Sequence, residues 1–348
     1  MLLRMTELVP ILQSDAGVAY AGEAADVLPA LHEEHRGTVR LCYLDPPYNG
    51  GRRIRNYSDR SGRGEWYATL TASLSAMEPL LAPSGSVWLH LDDAAQHYGR
   101  MALDEVFGPR AFVATIIWQK RQTRENRSAF SIEHEYIHVY APAGKAWREH
   151  RNKIDPGVKG TNPDNDPRGP WRRVMMEAQD RGGRPTQHYT ITTPTGVEYD
   201  PGPGCCWRYT RERFEELVAD GRVFWPRNGD GKPCQKVYTA EVGDKLVPST
   251  IWTAEQAGTT GDAKKGILSL FGTEAFDTPK PTRLLERIIQ IASDPGDLVL
   301  DYYLGSGTTA VAAERLGRRW LGIDRNEETL REVTARRLAI SPRPLDVV

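Results

Sequence analysis

The sequence predicts an α/β protein whose central sheet is drawn from both ends of the chain, and three segments carry that reading. An apolar run, Val39 to Leu44, reads as a buried strand that ends in Asp45-Pro46-Pro47-Tyr48. Near the other end, Leu298 to Asp301 reads as a strand entering the glycine loop Tyr302-Tyr303-Leu304-Gly305-Ser306-Gly307-Thr308, after which Val311 to Leu316 open a helix. A further strand, Arg319 to Ile323, ends in Asp324, 23 residues after Asp301. Only 24 residues follow Asp324, enough for one helix but not for the strands that complete a nucleotide-binding sheet. The missing strands are therefore expected from the N-terminal part.

Each strand end carries its own chemistry. Two prolines hold the chain after Asp45 extended and cannot continue a helix. The Asp45 carboxylate and the Pro46 carbonyl are then two acceptors beside one aromatic ring, which matches an exocyclic base amine with its two N–H donors and π-face. In the second motif, Gly305 and Gly307 let the backbone turn tightly and approach a ligand at the free N–H groups of a helix start. Asp324 is placed to accept from ribose hydroxyls, so the unit reads as a nucleoside-binding βαβ. Because Ala310 completes G-x-G-x-x-A, a nicotinamide-dependent dehydrogenase is a rival that chain position argues against.

With these motifs in this order, the chain resembles the permuted (β-class) DNA amino-methyltransferases of the N6-adenine or N4-cytosine type, in the style of type III restriction-modification methylating subunits. The resemblance runs from about Tyr20 to Arg337. It rests also on Gly22-Glu23 with Asp26 to Leu31, on Val87-Trp-Leu-His-Leu-Asp92-Asp93 and Phe107-Gly108, on Asn165 to Trp171, and on Phe276-Asp-Thr-Pro-Lys-Pro281. It departs from the family pattern in Tyr303, where phenylalanine is usual, with an unusual Tyr302 before it, and in Glu23, where aspartate is commoner. It also lacks the long additional regions of type III subunits.

The resemblance implies a circularly permuted, Rossmann-like S-adenosylmethionine-dependent sheet with an inserted target-recognition region. The expected division is a catalytic half over 1–119, a DNA-contacting region with some core strand over 120–275, and a cofactor half over 276–348. Implied with it is methyl transfer from S-adenosyl-L-methionine to the N6 amine of a flipped-out adenine, with no metal. Asp45, Pro46, Pro47 and Tyr48 would hold the base, with Tyr48 stacked on it. Asp301, Tyr303, Gly305, Ser306, Gly307 and Thr308 would hold the cofactor, Asp324 its ribose and Glu23 its adenine, with Lys280 and Pro281 flanking the methionine end. Adenine is favoured over cytosine because aspartate before the prolines accompanies adenine in the family. N4-cytosine methylation, an RNA or protein-amide substrate, and a non-enzymatic nucleotide- or DNA-binding protein are the alternatives. Double-stranded DNA is the expected partner, and a homodimer and a restriction endonuclease partner stay open.

Composition is that of an ordinary soluble protein: 348 residues, 39% hydrophobic and 26% charged. No signal-peptide core precedes Gln13, and the apolar run Phe112 to Trp118 is too short to cross a bilayer, so the cytoplasm is the default compartment. A net charge of -1 means that DNA phosphates must be met by local basic clusters. Lys120, Arg121, Arg124 and Arg127 form one; Arg168 and Arg172, with Arg173, Arg181 and Arg184, a second; Arg52 and Arg53, with Arg55, a third. The four cysteines, Cys42, Cys205, Cys206 and Cys234, show no metal-ligand spacing and are expected reduced.

His134-Glu135-Tyr136-Ile137-His138 fits the zinc-peptidase pattern H-E-x-x-H, which works only on a helix. The aromatic and β-branched run Ile132 to Tyr140 reads instead as a strand, which holds the two histidines about 13 Å apart, too far for one zinc. Between 120 and 275 the texture changes. Turn residues recur over 155–170 and 180–204 between short strand-like pieces, His188 to Thr192 and Val223 to Trp225, with one amphipathic helix over Arg211 to Ala219. Loops of this kind on a scaffold commonly carry specificity.

Overall fold

The computed structural model describes residues 8–48, 62–126, 128–154, 160–242, 245–273 and 275–340. The chain divides into two compact units, Met1–Lys153 with Val247–Val348, and Ile154–Leu246. In the larger unit nine strands form one sheet. They are β1 (Leu12–Gln13), β2 (Gly17–Ala21), β3 (Val39–Leu44), β4 (Leu81–Leu91), β5 (Phe112–Gln119), β6 (His134–Tyr140), β7 (Ile251–Trp252), β8 (Leu298–Asp301) and β9 (Arg319–Asp324). Their spatial order is β1-β2-β9-β8-β3-β4-β6-β5-β7. Strands β2, β9, β8, β3 and β4 run parallel, and β6 is antiparallel to β4 and β5. The last two strands in sequence therefore lie between β2 and β3, which is the expected assembly from both ends.

Parallel strands covered on both faces read as continuous apolar runs, and all six residues of β3 are buried. Arg40 is the exception in charge, and its guanidinium donates to the carbonyls of Ser84 and His150. Helices α1 (Ala24–Ala30), α2 (Arg63–Met77), α3 (Thr260–Phe271), α4 (Thr282–Ala292) and α5 (Thr308–Arg315) belong to this unit. Helix α2 buries Trp66, Leu70, Leu74 and Met77 at spacings of four, four and three, one stripe of a 3.6-residue period. Helix α4 buries Leu284, Leu285, Ile288 and Ile289 in the same way. Helix α3 starts in a capping box of Thr259 with Asp262 and ends at Gly272 in the left-handed region.

The smaller unit has a three-stranded antiparallel sheet, Val223–Phe224, Cys234–Tyr238 and Trp171–Met175. A helix over Arg211–Ala219, where the amphipathic pattern placed it, buries Phe214 and Leu217 against Met176, Ile191, Trp207 and Val223. Beside this apolar cluster, Asp166 accepts from Arg168 at 3.0 Å, Lys236 at 2.8 Å and Tyr238 at 2.5 Å.

Two boundaries differ from the sequence reading. The smaller unit is narrower than 120–275, because β6 pairs with β4 and β5 while β7 pairs with β5, and these strands draw their neighbours into the main sheet. Helix α5 starts at Thr308 rather than Val311, directly after Gly307. All four cysteines are free thiols, and among the described residues no helix is long and apolar enough to cross a membrane.

Candidate active site

Parallel strands all finish at one edge of the sheet, so the ends of β3, β8 and β9 bring Asp45, Asp301 and Asp324 together. A cavity of about 820 Å³ opens there, lined among others by Glu23, Asp45, Trp66, Phe276, Tyr303 and Asp324. It has the size of a small-molecule site. Both sequence motifs line it, from Asp45, Pro46 and Pro47 on one side to Gly305, Ser306 and Thr308 on the other.

The proline loop is fixed from several directions. Trp66 Nε1 donates to the Pro47 carbonyl at 2.6 Å. Tyr48 Oη donates to Asp45 Oδ1 at 2.7 Å, and Lys280 Nζ donates to both Asp45 oxygens at 2.8 and 2.6 Å. Burial, with Asp45 and Glu135 beside it, raises the Tyr48 hydroxyl well above its ordinary value, so it stays a donor. The resemblance puts Lys280 at the methionine end of the cofactor; here its ammonium sits on Asp45 and 5.1 Å from the centre of the Tyr48 ring. Its carbonyl accepts from Thr308 Oγ1 at 3.3 Å, which ties the two motifs through one residue. Pro281 is buried at the start of α4.

Behind this loop lies a residue for which the sequence reading had no role. Glu135, 6% exposed, places Oε2 at 3.4 Å from Tyr48 Oη and 2.9 Å from His90 Nε2, and Oε1 at 3.0 Å from Lys120 Nζ. Burial would raise its carboxyl, but Lys280, His90 and Lys120 outweigh it and hold Glu135 well below the usual carboxylate range. Glu135 is the acid of the H-E-x-x-H pattern, which lies on strand β6 as expected. The histidines face separate protein partners: His134 lies 2.9 Å from Tyr136 Oη, and His138 lies 3.0 Å from both Thr115 Oγ1 and the Gln96 carbonyl.

In the glycine loop, Asp301 accepts from Thr309 Oγ1 at 2.5 Å and from the Tyr303 amide at 2.9 Å. Asp324 accepts from the Gly305 amide at 2.7 Å and the Asn326 amide at 2.8 Å, which leaves lone pairs on both oxygens for further donors. Gly305 and Gly307 have φ of 51° and 75°, and a Cβ on Gly307 would meet Thr334 Cγ2 at 2.6 Å. Arg337, which nothing in the sequence marked, buries its guanidinium here. It donates to Ser306 Oγ at 2.9 Å and Thr308 Oγ1 at 2.8 Å, so both hydroxyls are engaged in shaping the loop. Burial lowers its ordinary value to about 10.

Tested against an S-adenosyl nucleoside, the residues fit. The cavity is large enough, aromatic Phe276 and Tyr303 line it, and the carboxylates of Glu23 and Asp324 suit an adenosine. Burial, with Asp45 and Asp324 nearby, pushes the Asp301 carboxyl up to about 7 against the Thr309 hydroxyl and Tyr303 amide.

The expected DNA contacts divide differently. Lys120 is paired with Glu135, and Arg168 is held by Asp166 and the carbonyls of Asp220 and Gly221, so both take part in ion pairs within the protein. Glu135 lies 15 residues from Lys120 and Asp166 two from Arg168, and a run of basic residues reveals neither pairing. Arg121 is half-buried, with Nη2 3.5 Å from Ser131 Oγ, and Arg172 is half-buried opposite Val237. Arg124 is exposed. Arg52, Arg53 and Arg127 lie outside the described residues, as do Asn49 and Arg55.

Comparison with known proteins agrees with this geometry. A family model described as DNA methylase, of the N6/N4 type, matches residues 39–335. The type III restriction-modification enzyme StyLTI Mod subunit of Salmonella typhimurium is 31% identical over 85% of this chain and 49% of its own length. The chain thus spans about half of that relative. Type II methyltransferase M.EcaI of Enterobacter cloacae is 29% identical over 88% of this chain and 66% of its own. The solved structure of PvuII DNA methyltransferase (cytosine-N4-specific) matches with a TM-score of 0.53 at 12% identity, covering 95% of this chain and 89% of that one. At that identity the likeness is one of fold.

The Asp301 carboxyl yields a stability prediction. With a folded value of about 7 against an ordinary 3.8, the native protein holds a proton that the unfolded chain releases in this window. Stability from this group therefore falls as pH rises from about 4 to 7. Asp301→Asn should flatten that fall in urea midpoints measured across the window, and an unchanged slope would remove the assignment.

Proposed function

Because the chain belongs to the DNA methylase family of the N6/N4 type, we propose that it is a site-specific DNA methyltransferase acting on the N6 amine of adenine in a base swung out of the duplex. The observation that carries this is the single cavity lined by both the Asp45-Pro-Pro loop and the glycine loop ending at Thr308. An amine acceptor and a nucleoside holder share one space, which is what a group transfer between two ligands requires.

S-adenosylmethionine, when bound, supplies an electrophilic methyl group on a sulfonium centre. Asp324 and Glu23 would accept from its ribose and adenine ends, and the amides after Gly305 would face it across the loop. For the base, Asp45 and the Pro46 carbonyl would accept the two amine hydrogens, orienting the nitrogen and favouring its tetrahedral form. Tyr48 would stack on the ring, its hydroxyl held between Asp45 and Glu135. Lys280 holds both Asp45 oxygens and Tyr48 shares Oδ1, so Oδ2 keeps the lone pair that could take an amine hydrogen. Much of the rate would come from positioning and fixed charge.

Adenine is preferred on the resemblance, through Asp45 before the prolines. The smaller unit, Ile154–Leu246, is the proposed target-recognition region, in place of 120–275. Duplex DNA is the proposed partner, and the likeness to Mod subunits supports a restriction-modification setting.

Nucleoside mass spectrometry on unmethylated DNA incubated with the protein and S-adenosylmethionine should show N6-methyladenine. N4-methylcytosine would keep the mechanism and overturn the base, while no methylated base would sink the DNA reading. Asp45→Ala should abolish methylation with cofactor affinity within a few-fold of normal, and Asp324→Ala should weaken the cofactor first; calorimetry on both separates the roles. Glu135→Gln should lower kcat by about tenfold, roughly 1.4 kcal/mol in the barrier, with cofactor affinity retained. A matching loss of cofactor binding would place Glu135 in the cofactor site instead.

A further inference from the structure

The connection between β5 and β6 leaves the sheet at the edge where the cavity opens, since β5 runs parallel to β3 and β4. Its neck is closed by the Lys120 amide donating to the Glu133 carbonyl at 2.8 Å, and tied to α3 by the Thr260 amide on the Lys120 carbonyl at 2.9 Å. Within it, Ser131 Oγ accepts from the Glu125 amide at 2.9 Å, and Ser128 Oγ donates to the Phe130 carbonyl at 2.9 Å and the Glu125 carbonyl at 3.2 Å. These bonds hold a shape whose apolar side chains are left outside. Phe130 is 86% exposed and Ile132 47% exposed. A single exposed apolar residue is ordinary. A phenylalanine displayed on a side-chain-braced loop that also carries exposed Arg124, and that leaves the sheet at the edge where the cavity opens, is a different arrangement.

Reach supports it. Glu135, 3.4 Å from Tyr48 Oη, follows Phe130 by five residues, a span of at most about 18 Å. That compares with the roughly 12 Å width of a major groove. Removing a nucleotide from a duplex leaves an unstacked gap, and an apolar ring is the side chain that replaces lost stacking.

We propose that Phe130 is a stacking wedge, entering the base stack of duplex DNA beside the position vacated by the target nucleotide, with Arg124 against a neighbouring phosphate. This rests on the DNA methyltransferase reading. Phe130 touches neither cofactor nor reacting atoms; it holds the duplex open.

The site methylated by the wild-type protein would first be mapped on unmethylated plasmid DNA. Phe130→Ala and Phe130→Leu would then be assayed on a short duplex carrying that site, with the target base either paired or opposite a mismatch. Phe130→Ala should lower kcat/KM on the paired duplex at least about tenfold, yet come within about threefold of wild type on the mismatched one, where opening is already made. Phe130→Leu should retain most activity on both, and cofactor affinity should not change. Equal losses of Phe130→Ala on the two duplexes, or none on the paired one, would overturn the wedge while leaving the enzyme reading intact. A wild-type protein that methylates no DNA fails that reading first, and the wedge with it.

Discussion

The ion pair between Lys280 and Asp45 is the contact on which the site depends. It joins side chains 235 residues apart, and both Asp45 oxygens lie within 2.8 Å of the ammonium. Lys280 is only 9% exposed, so its ammonium has little access to bulk water as an alternative partner. Breaking a buried pair by deleting one member typically costs about 3–5 kcal/mol, because the survivor is stranded. Tyr48, Glu135, His90 and Lys120 extend the pair into a network running from the cavity wall to β6. In such a network each charge fixes its neighbour's position, and positioned charge is what a transfer between two bound ligands needs.

Much of this was legible in the sequence, for identifiable reasons. Strands β3, β8 and β9 are short apolar runs ending in turn residues, and a strand buried on both faces leaves that trace. The strand character of the H-E-x-x-H segment followed from its β-branched and aromatic content, and the helix over Arg211–Ala219 from its period. Strand-end aspartates were readable because parallel strands finish on one edge.

Pairings across long separations were not legible. Glu135 was noticed only as part of a decoy, Arg337 not at all, and the carboxylate partners of Lys120 and Arg168 left no trace in the sequence. No local pattern announces a partner: Arg168 finds Asp220 52 residues away and Arg337 finds Ser306 31 residues away. The limits of the smaller unit were not legible for a related reason, since a short strand such as β7 shows its sheet only through its neighbour β5.

The sheet order has a consequence for how the protein is made. Strands β8 and β9 fill the space between β2 and β3 but leave the ribosome some 250 residues later. One edge of β3 lacks its neighbour until residue 301 has been synthesised, and one edge of β2 until residue 324. Unpaired edges of strands such as β3, buried along its whole length, are templates for pairing with other chains. Asp45 is likewise without its partner until Lys280 has been made. The nascent N-terminal half is thus the stage at which this protein is most exposed to aggregation, and slowed synthesis of the middle region would lengthen it.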